Sequence, residues 1–457
     1  MRKRCPALFA ALIGLVGAAP AEAPGDMNLT PPAAVAVECA RDGASIQKQP
    51  AACFGKNVYL VAWSDGSRML GKETADIYAA RVEAGTGKAL DPKGIVVCRA
   101  ANLQDRPAVA FDGSNFLVAW QDLRGGADYD IYAARVAPDG RVLDPDSFPV
   151  VKRAGNQAWP AAAFAGGQYV VVWMDAREYP VYGLYFARVT PDGKVLDGDG
   201  FALDIEDPAK IAKARPAGPA WLGDKYYWWQ HLASRTTPAI ASDGKRCLVA
   251  YMREYPFAEC GRPAVTARLL DPGDPKAGEP VKVTGGPSPA WTGKGWALGG
   301  PVWKEGWTPT PMLGAGYLPE GVSLAPASQP RAKAENPSAT IDVVAAFGGG
   351  YNVGKGSTAS FPSAAAFNGK HTLVAMHYAW RPKQGQGPVF AILLARVETD
   401  NALKVLDAQP LVAATATNPA AVNAPALAPG PGGECLLVYE DDAETAKCRV
   451  AAQIVRP

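Results

Sequence analysis

Pro107-Ala108-Val109-Ala110-Phe111-Asp112-Gly113, then Phe116-Leu117-Val118-Ala119-Trp120, then Asp130-Ile131-Tyr132-Ala133-Ala134-Arg135-Val136, then Phe148-Pro149-Val150-Val151: these four short runs decide the fold. Each has the length and the β-branched or aromatic content of a strand, and turn signals, Asp112-Gly113 and Pro138-Asp139-Gly140, punctuate them. Nothing between them keeps a helical period long enough to compete. The stretch reads as a four-stranded antiparallel meander. Such a unit cannot cover both of its faces alone, so it must stack on copies of itself.

The copies are present. A Pro-Ala or Pro-Ser pair at Pro50, Pro107, Pro160, Pro238, Pro289, Pro362 and Pro425 is followed, after 13 or 14 residues, by the end of an apolar run. Those ends are Trp63, Trp120, Trp173, Tyr251, Trp303, Met376 and Tyr439. Seven meanders in series predict an all-β chain forming a seven-bladed β-propeller over residues 24–457, a single domain with one continuous core. The fifth copy, about 287–355, is degenerate: its third strand is unclear and Ser323 to Ala339 is rich in Pro, Ala and Ser. Six blades with a long insertion is the alternative. The last copy ends at Pro457 without room for a fourth strand, while Val35-Ala36-Val37-Glu38-Cys39 stands spare at the other end. An N-terminal strand at 35–39 is therefore expected to complete the last blade and close the ring.

Two charges recur with the repeat. An acid stands two residues after the run-closing residue (Asp65, Asp122, Asp175, Glu305, Asp441), and an arginine ends the third strand (Arg81, Arg135, Arg188, Arg268, Arg396, Arg449). Charges recurring once per blade are expected to hold turns and blades together rather than to catalyse.

The chain opens with Met1-Arg2-Lys3-Arg4, runs apolar from Ala7 to Ala19 and reaches small residues at Ala19-Pro20-Ala21-Glu22-Ala23. A basic head, a short apolar stretch and an A-x-A-like site read as a secretory signal, residues 1–23, which implies a secreted or periplasmic location. The stretch is too short to span a bilayer. The formal charge of +2 comes from 46 basic and 44 acidic residues; removal of 1–23 leaves 43 of each. A balanced chain has no bulk field to recruit nucleic acid, and no second segment is apolar enough to span a membrane. It is expected to act as a monomer.

Seven of the eight cysteines lie beyond the signal. Cys247 and Cys260 are 13 apart, as are Cys435 and Cys448, with the first of each pair four residues before Tyr251 or Tyr439. Placed on adjacent strands of an exported protein, each pair is a disulfide candidate. No C-x-x-C or neighbouring histidine supports a metal site, and no cofactor is expected.

Catalytic signatures are missing. The three histidines, His231, His371 and His377, belong to no metal-ligand motif, and no G-x-S-x-G occurs. Gly349 to Ser357 approaches a phosphate loop, but Gly356 replaces its hydroxyl residue and Pro362 forbids the following helix. The most unusual segment is the insertion at about 208–236. Within it Tyr227, Trp228, Trp229 and His231 make the candidate ligand-binding cluster, since insertions on repeat scaffolds carry function and flat aromatic faces suit sugar rings. The competing reading is that these aromatics cap blade edges.

Trp120-Gln121-Asp122-Leu123-Arg124 and Trp173-Met174-Asp175-Ala176-Arg177, with Asp130-Ile131-Tyr132-Ala133-Ala134-Arg135, resemble the W-x-D-x-R and D-I-Y-x-x-R repeats of secreted bacterial β-propeller proteins whose function is uncharacterised. The resemblance covers blades one to three well and the fifth poorly; it implies the fold and export, not a reaction. A more distant likeness to sialidase-type propellers lacks their S-x-D-x-G-x-x-W box, and no arginine triad is assignable. The function expected is a non-enzymatic binding or scaffold module for a glycan or protein partner. The alternative is a carbohydrate-active hydrolase or lyase with its site at the propeller mouth.

Overall fold

The second strand of each repeat is apolar at nearly every position because both of its faces are covered. In Val58–Met69, the side chains of Tyr59, Val61 and Trp63 join the core against the seventh blade, while Leu60 and Ala62 join the core against the second. The period-two alternation of one strand thus serves two interfaces. Seven such layers of core occur among the described residues, one at each boundary between successive blades and one between the last blade and the first.

The computed structural model describes residues 27–35, 46–69, 72–178, 181–207, 209, 234–254, 264–274, 278, 280–283, 285–304, 310–319, 338–341, 363–380, 389–399, 403–416, 422–441 and 449–456. They form seven antiparallel sheets of four or five strands, a seven-bladed β-propeller. The first strands are Ile46–Gly55, Gln104–Phe111, Gln157–Ala165, Ser234–Ser242, Ser288–Trp291, Ser363–Phe367 and Val422–Pro429. Each lies against the first strand of the next blade, and the seventh lies against the first, so these strands make the inner ring.

The seam is closed by the N-terminal segment, as expected, with pairing that begins upstream of the expected 35–39 and includes Val35. Asn28–Leu29 and Ala33–Ala34 pair with Arg449–Arg456 of the last blade, and the Val35 N–H donates to the Val450 carbonyl at 3.0 Å. Buried Met27 and Val35 anchor the two ends of this segment in separate core layers, which fixes the pairing upstream of 35–39. Residues 36–39 lie outside the described ones, as does the whole of the signal segment. The fifth blade is complete: Thr310–Pro319 is its third strand and Ser338–Ile341 its fourth. Its third strand, with two glycines and two prolines, has Thr310 as its one β-branched residue. The six-blade alternative is thereby overturned.

The repeated charges hold the blades. The indole Nε1 of Trp63, Trp120 and Trp173 donates to Asp65, Asp122 and Asp175 at 3.2, 2.8 and 2.8 Å. Arg124 and Arg177 then grip Asp122 and Asp175 through both carboxylate oxygens. On the third strands Arg81, Arg135, Arg188 and Arg396 are paired with Asp91, Asp144, Asp197 and Asp407. The Nη1 of Arg81, Arg135 and Arg188 reaches on to the carbonyl of Pro138, Pro191 and Pro272 in the next blade. A side chain at Gly140 (φ +93°) or Gly193 (φ +89°) would press on that arginine, 3.1 and 3.0 Å from its Nε. The D-G turn of one blade is thus shaped by the arginine of the blade before it.

Burial alone would raise the Asp144 carboxyl, but the side-chain and main-chain donors of Arg135 outweigh it and hold the group below its ordinary 3.8. A carboxyl lowered by folding stabilises the fold above its unfolded value and loses that contribution as pH falls through the folded value. We therefore expect Asp144→Asn to unfold at lower urea concentration than wild type at pH 7, by about 1–3 kcal/mol. The gap should narrow as urea melts are repeated below pH 3.8.

Candidate functional site at the rim of the inner ring

The 13-residue spacing between proline and aromatic has a structural cause. In blade two, Asp105 pairs with Gln121 and Ala108 with Ala119, so Arg106 and Pro107 together stand opposite Trp120. This is a β-bulge, one residue too many on the inner strand. It recurs at Gln49-Pro50, Trp159-Pro160, Thr237-Pro238 and Ala424-Pro425. Proline suits this edge, since the inner strand has no further neighbour within its sheet needing an N–H. The fifth blade departs from the rule: Pro289 pairs with Leu298, and Trp303 lies opposite Pro311 instead.

The residue before each of these five prolines has left-handed φ: 55° at Gln49, 54° at Arg106, 56° at Trp159, 49° at Thr237 and 47° at Ala424. None is glycine, and a residue preceding proline is normally extended. Each position stores on the order of 1–3 kcal/mol of backbone strain. The bulge N–H is left out of the ladder, and in three blades a side chain takes it. Gln49 N–H donates to Glu440 Oε1 at 2.8 Å, Arg106 N–H to Gln49 Oε1 at 3.0 Å, and Trp159 N–H to Gln121 Oε1 at 2.9 Å. The Arg106 guanidinium then lies over the Trp159 ring, 3.4 Å from its centroid. Blades seven, one, two and three are thus joined along the rim.

Trp159 is 37% exposed, one of four large apolar side chains so exposed among the described residues. Arg106 is half-buried, and burial lowers its guanidinium pKa despite the opposing pull of Asp105, Glu440 and Tyr129. Burial likewise pushes the Glu440 carboxyl up, against the Gln49 N–H and the charges of Lys48 and Arg106. The bulge stands where the inner strands begin. That end also collects the connections from outer to inner strands and from second to third strands, including the one that joins Asp204 to Ser234.

Tyr227, Trp228, Trp229 and His231, within the insertion at 208–236, lie outside the described residues. Both chain ends of that connection belong to the bulged end of the ring. Cys247 and Cys435 are buried free thiols whose cross-strand neighbours are Leu270 and Val455. Their candidate disulfide partners, Cys260 and Cys448, lie outside the described residues, and no disulfide occurs among the described ones. No cluster of three or more His, Cys, Asp or Glu suited to a metal occurs among the described residues either. His377 occupies in blade six the position of Gln121 and Glu440; its buried Nε2 has no partner among the described residues, and its ring stacks on Phe390 at 6.0 Å. The reading of the sequence passed over Arg106 and Trp159. The signal was the residue before each proline, which differs in all seven repeats: Gln49, Arg106, Trp159, Thr237, Ser288, Phe361, Ala424.

No protein-family model and no curated protein sequence matches the chain. Among solved structures it is similar to a subtype N11 neuraminidase-like protein of A/flat-faced bat/Peru: 9% identity, 95% of this chain and 94% of that one, TM-score 0.45. A subtype N10 neuraminidase-like protein of A/little yellow-shouldered bat/Guatemala gives 8% identity, 94% and 99% coverage and a TM-score of 0.43. A protein of unknown function from Dyadobacter fermentans gives 10%, 94% and 99%, and 0.45. The strand pairing alone defines the class, a seven-bladed β-propeller, and no activity is taken from these likenesses. Among the described residues no helix is long and apolar enough to cross a membrane.

Two measurements test this rim. Ala424→Gly relieves a left-handed φ without removing a large side chain, so it should stabilise the fold by about 1 kcal/mol in urea melts. His377 is held neutral, with burial pushing its pKa from 6.5 down to about 4. A base lowered by folding favours the unfolded state as it protonates, so stability is full above pH 6.5 and falls toward pH 4. His377→Gln should flatten the melting temperature across that window.

Proposed function

We propose that the protein is an exported, non-enzymatic β-propeller that binds a glycan at the bulged end of its inner ring. The observation that carries this reading is Trp159, an exposed indole whose backbone is fixed at positive φ and whose N–H is tied to Gln121. A binding surface gains affinity when its aromatic anchor is fixed before the ligand arrives. A flat indole face covers a sugar ring without needing the directional bonds of a protein interface. Tyr227, Trp228, Trp229 and His231 would extend the contact, since their connection starts and ends at the same rim. The neutral balance of charge, the apolar N-terminus with its A-x-A-like site, and a monomeric ring with both apolar faces of every blade already used complete the proposal.

A glycan array probed with the purified protein tests it. We expect retained oligosaccharides, affinity reduced about tenfold or more by Trp159→Ala, and a further loss with Trp228→Ala plus Trp229→Ala. An array without signal would remove the sugar reading and leave a protein partner. Glu440 supports the carbohydrate-active alternative, because burial raises its carboxyl toward the range of a general acid. Turnover of a retained sugar that Glu440→Gln abolishes would establish that alternative instead.

A further inference from the structure

Among the described residues three arginines place the guanidinium carbon over an aromatic ring at under 4 Å. Arg124 lies 3.8 Å from the centroid of Tyr132, Arg177 lies 3.9 Å from that of Tyr185, and Arg106 lies 3.4 Å from that of Trp159. In the first two the in-plane edge of the guanidinium carries a carboxylate. Arg124 donates from Nε at 3.0 Å and Nη2 at 2.7 Å to the two oxygens of Asp122, and Arg177 does the same to Asp175 at 2.9 and 2.7 Å. In the third no such carboxylate occurs among the described residues. Among the described residues only the main-chain N–H of Arg106 is engaged, and no hydrogen bond or ion pair reaches its guanidinium.

Stacking fixes the plane of a guanidinium and leaves its N–H fork pointing along that plane, the geometry that matches a carboxylate through two parallel bonds. The backbone adds to this preorganisation, because Arg106 and Trp159 are each held at positive φ and each tied through its N–H to a glutamine. The charge is also incompletely met, since burial weighs more on Arg106 than the attraction of Asp105, Glu440 and Tyr129. We propose that Arg106 takes a carboxylate carried by the ligand, in the arrangement in which Arg124 holds Asp122 and Arg177 holds Asp175, while an adjoining ring of the ligand meets the part of Trp159 that Arg106 leaves exposed. The ligand class is thus an acidic saccharide bearing a uronate-type carboxyl. This inference rests on the glycan-binding reading and narrows it.

Calorimetric titration of the full chain with tetragalacturonate, its methyl ester, maltotetraose and sulfated maltotetraose tests it. The ester keeps the ring and removes only the charge. Wild type is expected to bind tetragalacturonate at least about tenfold more tightly than the ester, the range of a charge-assisted bidentate contact. Arg106→Gln should erase that preference while keeping the weaker binding of the ester. Arg106→Lys, which retains charge but not the planar fork, should lose most of the preference. Unchanged melting temperatures establish that the variants fold, and the acid–ester comparison in wild type needs no variant. Equal affinity for acid and ester, or a stronger affinity for the sulfated chain than for tetragalacturonate, overturns the carboxylate assignment but leaves glycan binding standing. No binding to any of the four by wild type, together with a blank array, overturns both.

Discussion

Everything in this molecule follows from second strands that are apolar on both faces. A strand such as Phe116–Asp122, buried at all seven positions, cannot be shielded by one neighbour. It needs a sheet on each side, and each of those sheets needs another. An open stack would leave two such faces in water, and the ring is the arrangement that leaves none. Closure therefore falls on the junction of blade seven with blade one, where the chain ends meet. The seam is accordingly dense in polar ties: Tyr59 Oη and Gly85 N–H both donate to Glu434, at 3.1 and 2.8 Å, and Val450 N–H donates to Gln47 at 3.0 Å. At Gly430 a side chain would stand 1.7 Å from the Tyr59 hydroxyl, so the blade-seven turn carries none.

Apolar burial sets which faces meet but not their register, because small apolar side chains slide over one another at little cost. The polar knots supply register. Trp120 fills the layer between blades one and two and reaches Asp122 on its own strand. Gln104 of the first strand also donates to Asp122, and Arg124 reaches Ser147 Oγ of its own blade and Cys98 Sγ of blade one, so a shift of the strand would break these buried contacts. The third-strand arginines do the same at the opposite end, where Arg135 binds Asp144 in its own blade and the Pro191 turn of the next. One end of the ring is thereby locked by short turns and arginines. The other end is left to bulges and long connections.

Legibility in the sequence followed this division. Pro107 and Trp120 were readable because the bulge that sets them opposite one another recurs with the same spacing. The structural role of Asp122 and Arg135 was readable because it repeats with the blade. Val35 was recognised as part of the seam, but pairing begins at Asn28, since two isolated two-residue ladders have no period to detect. Pro289 and Trp303 kept the spacing without the pairing, because in that blade the hairpin between them is shorter and the bulge is absent. The third strand of blade five, Thr310–Pro319, is held by its neighbours rather than by its own propensity. Arg106 and Trp159 were invisible for a different reason. A search for what repeats discards the one position that does not.

That position varies because packing does not constrain it. A residue in the inner strand that turned its side chain to either sheet face would have to match the layer it entered. The left-handed φ before the proline takes the side chain out of that obligation, and the strain is tolerated because the flanking ladder and the neighbouring glutamine or glutamate hold the backbone in place. A scaffold that repeats its strain but not the residue that bears it has separated what folds the chain from what the rim presents. Arg106, Trp159, Thr237 and Ala424 are free to differ because the strand ladder asks only for their backbone, whereas Gln49 also lends its side chain to the Arg106 N–H. The chemistry of the rim is then set by which side chains happen to adjoin, and at the boundary of blades two and three those are a guanidinium and an indole.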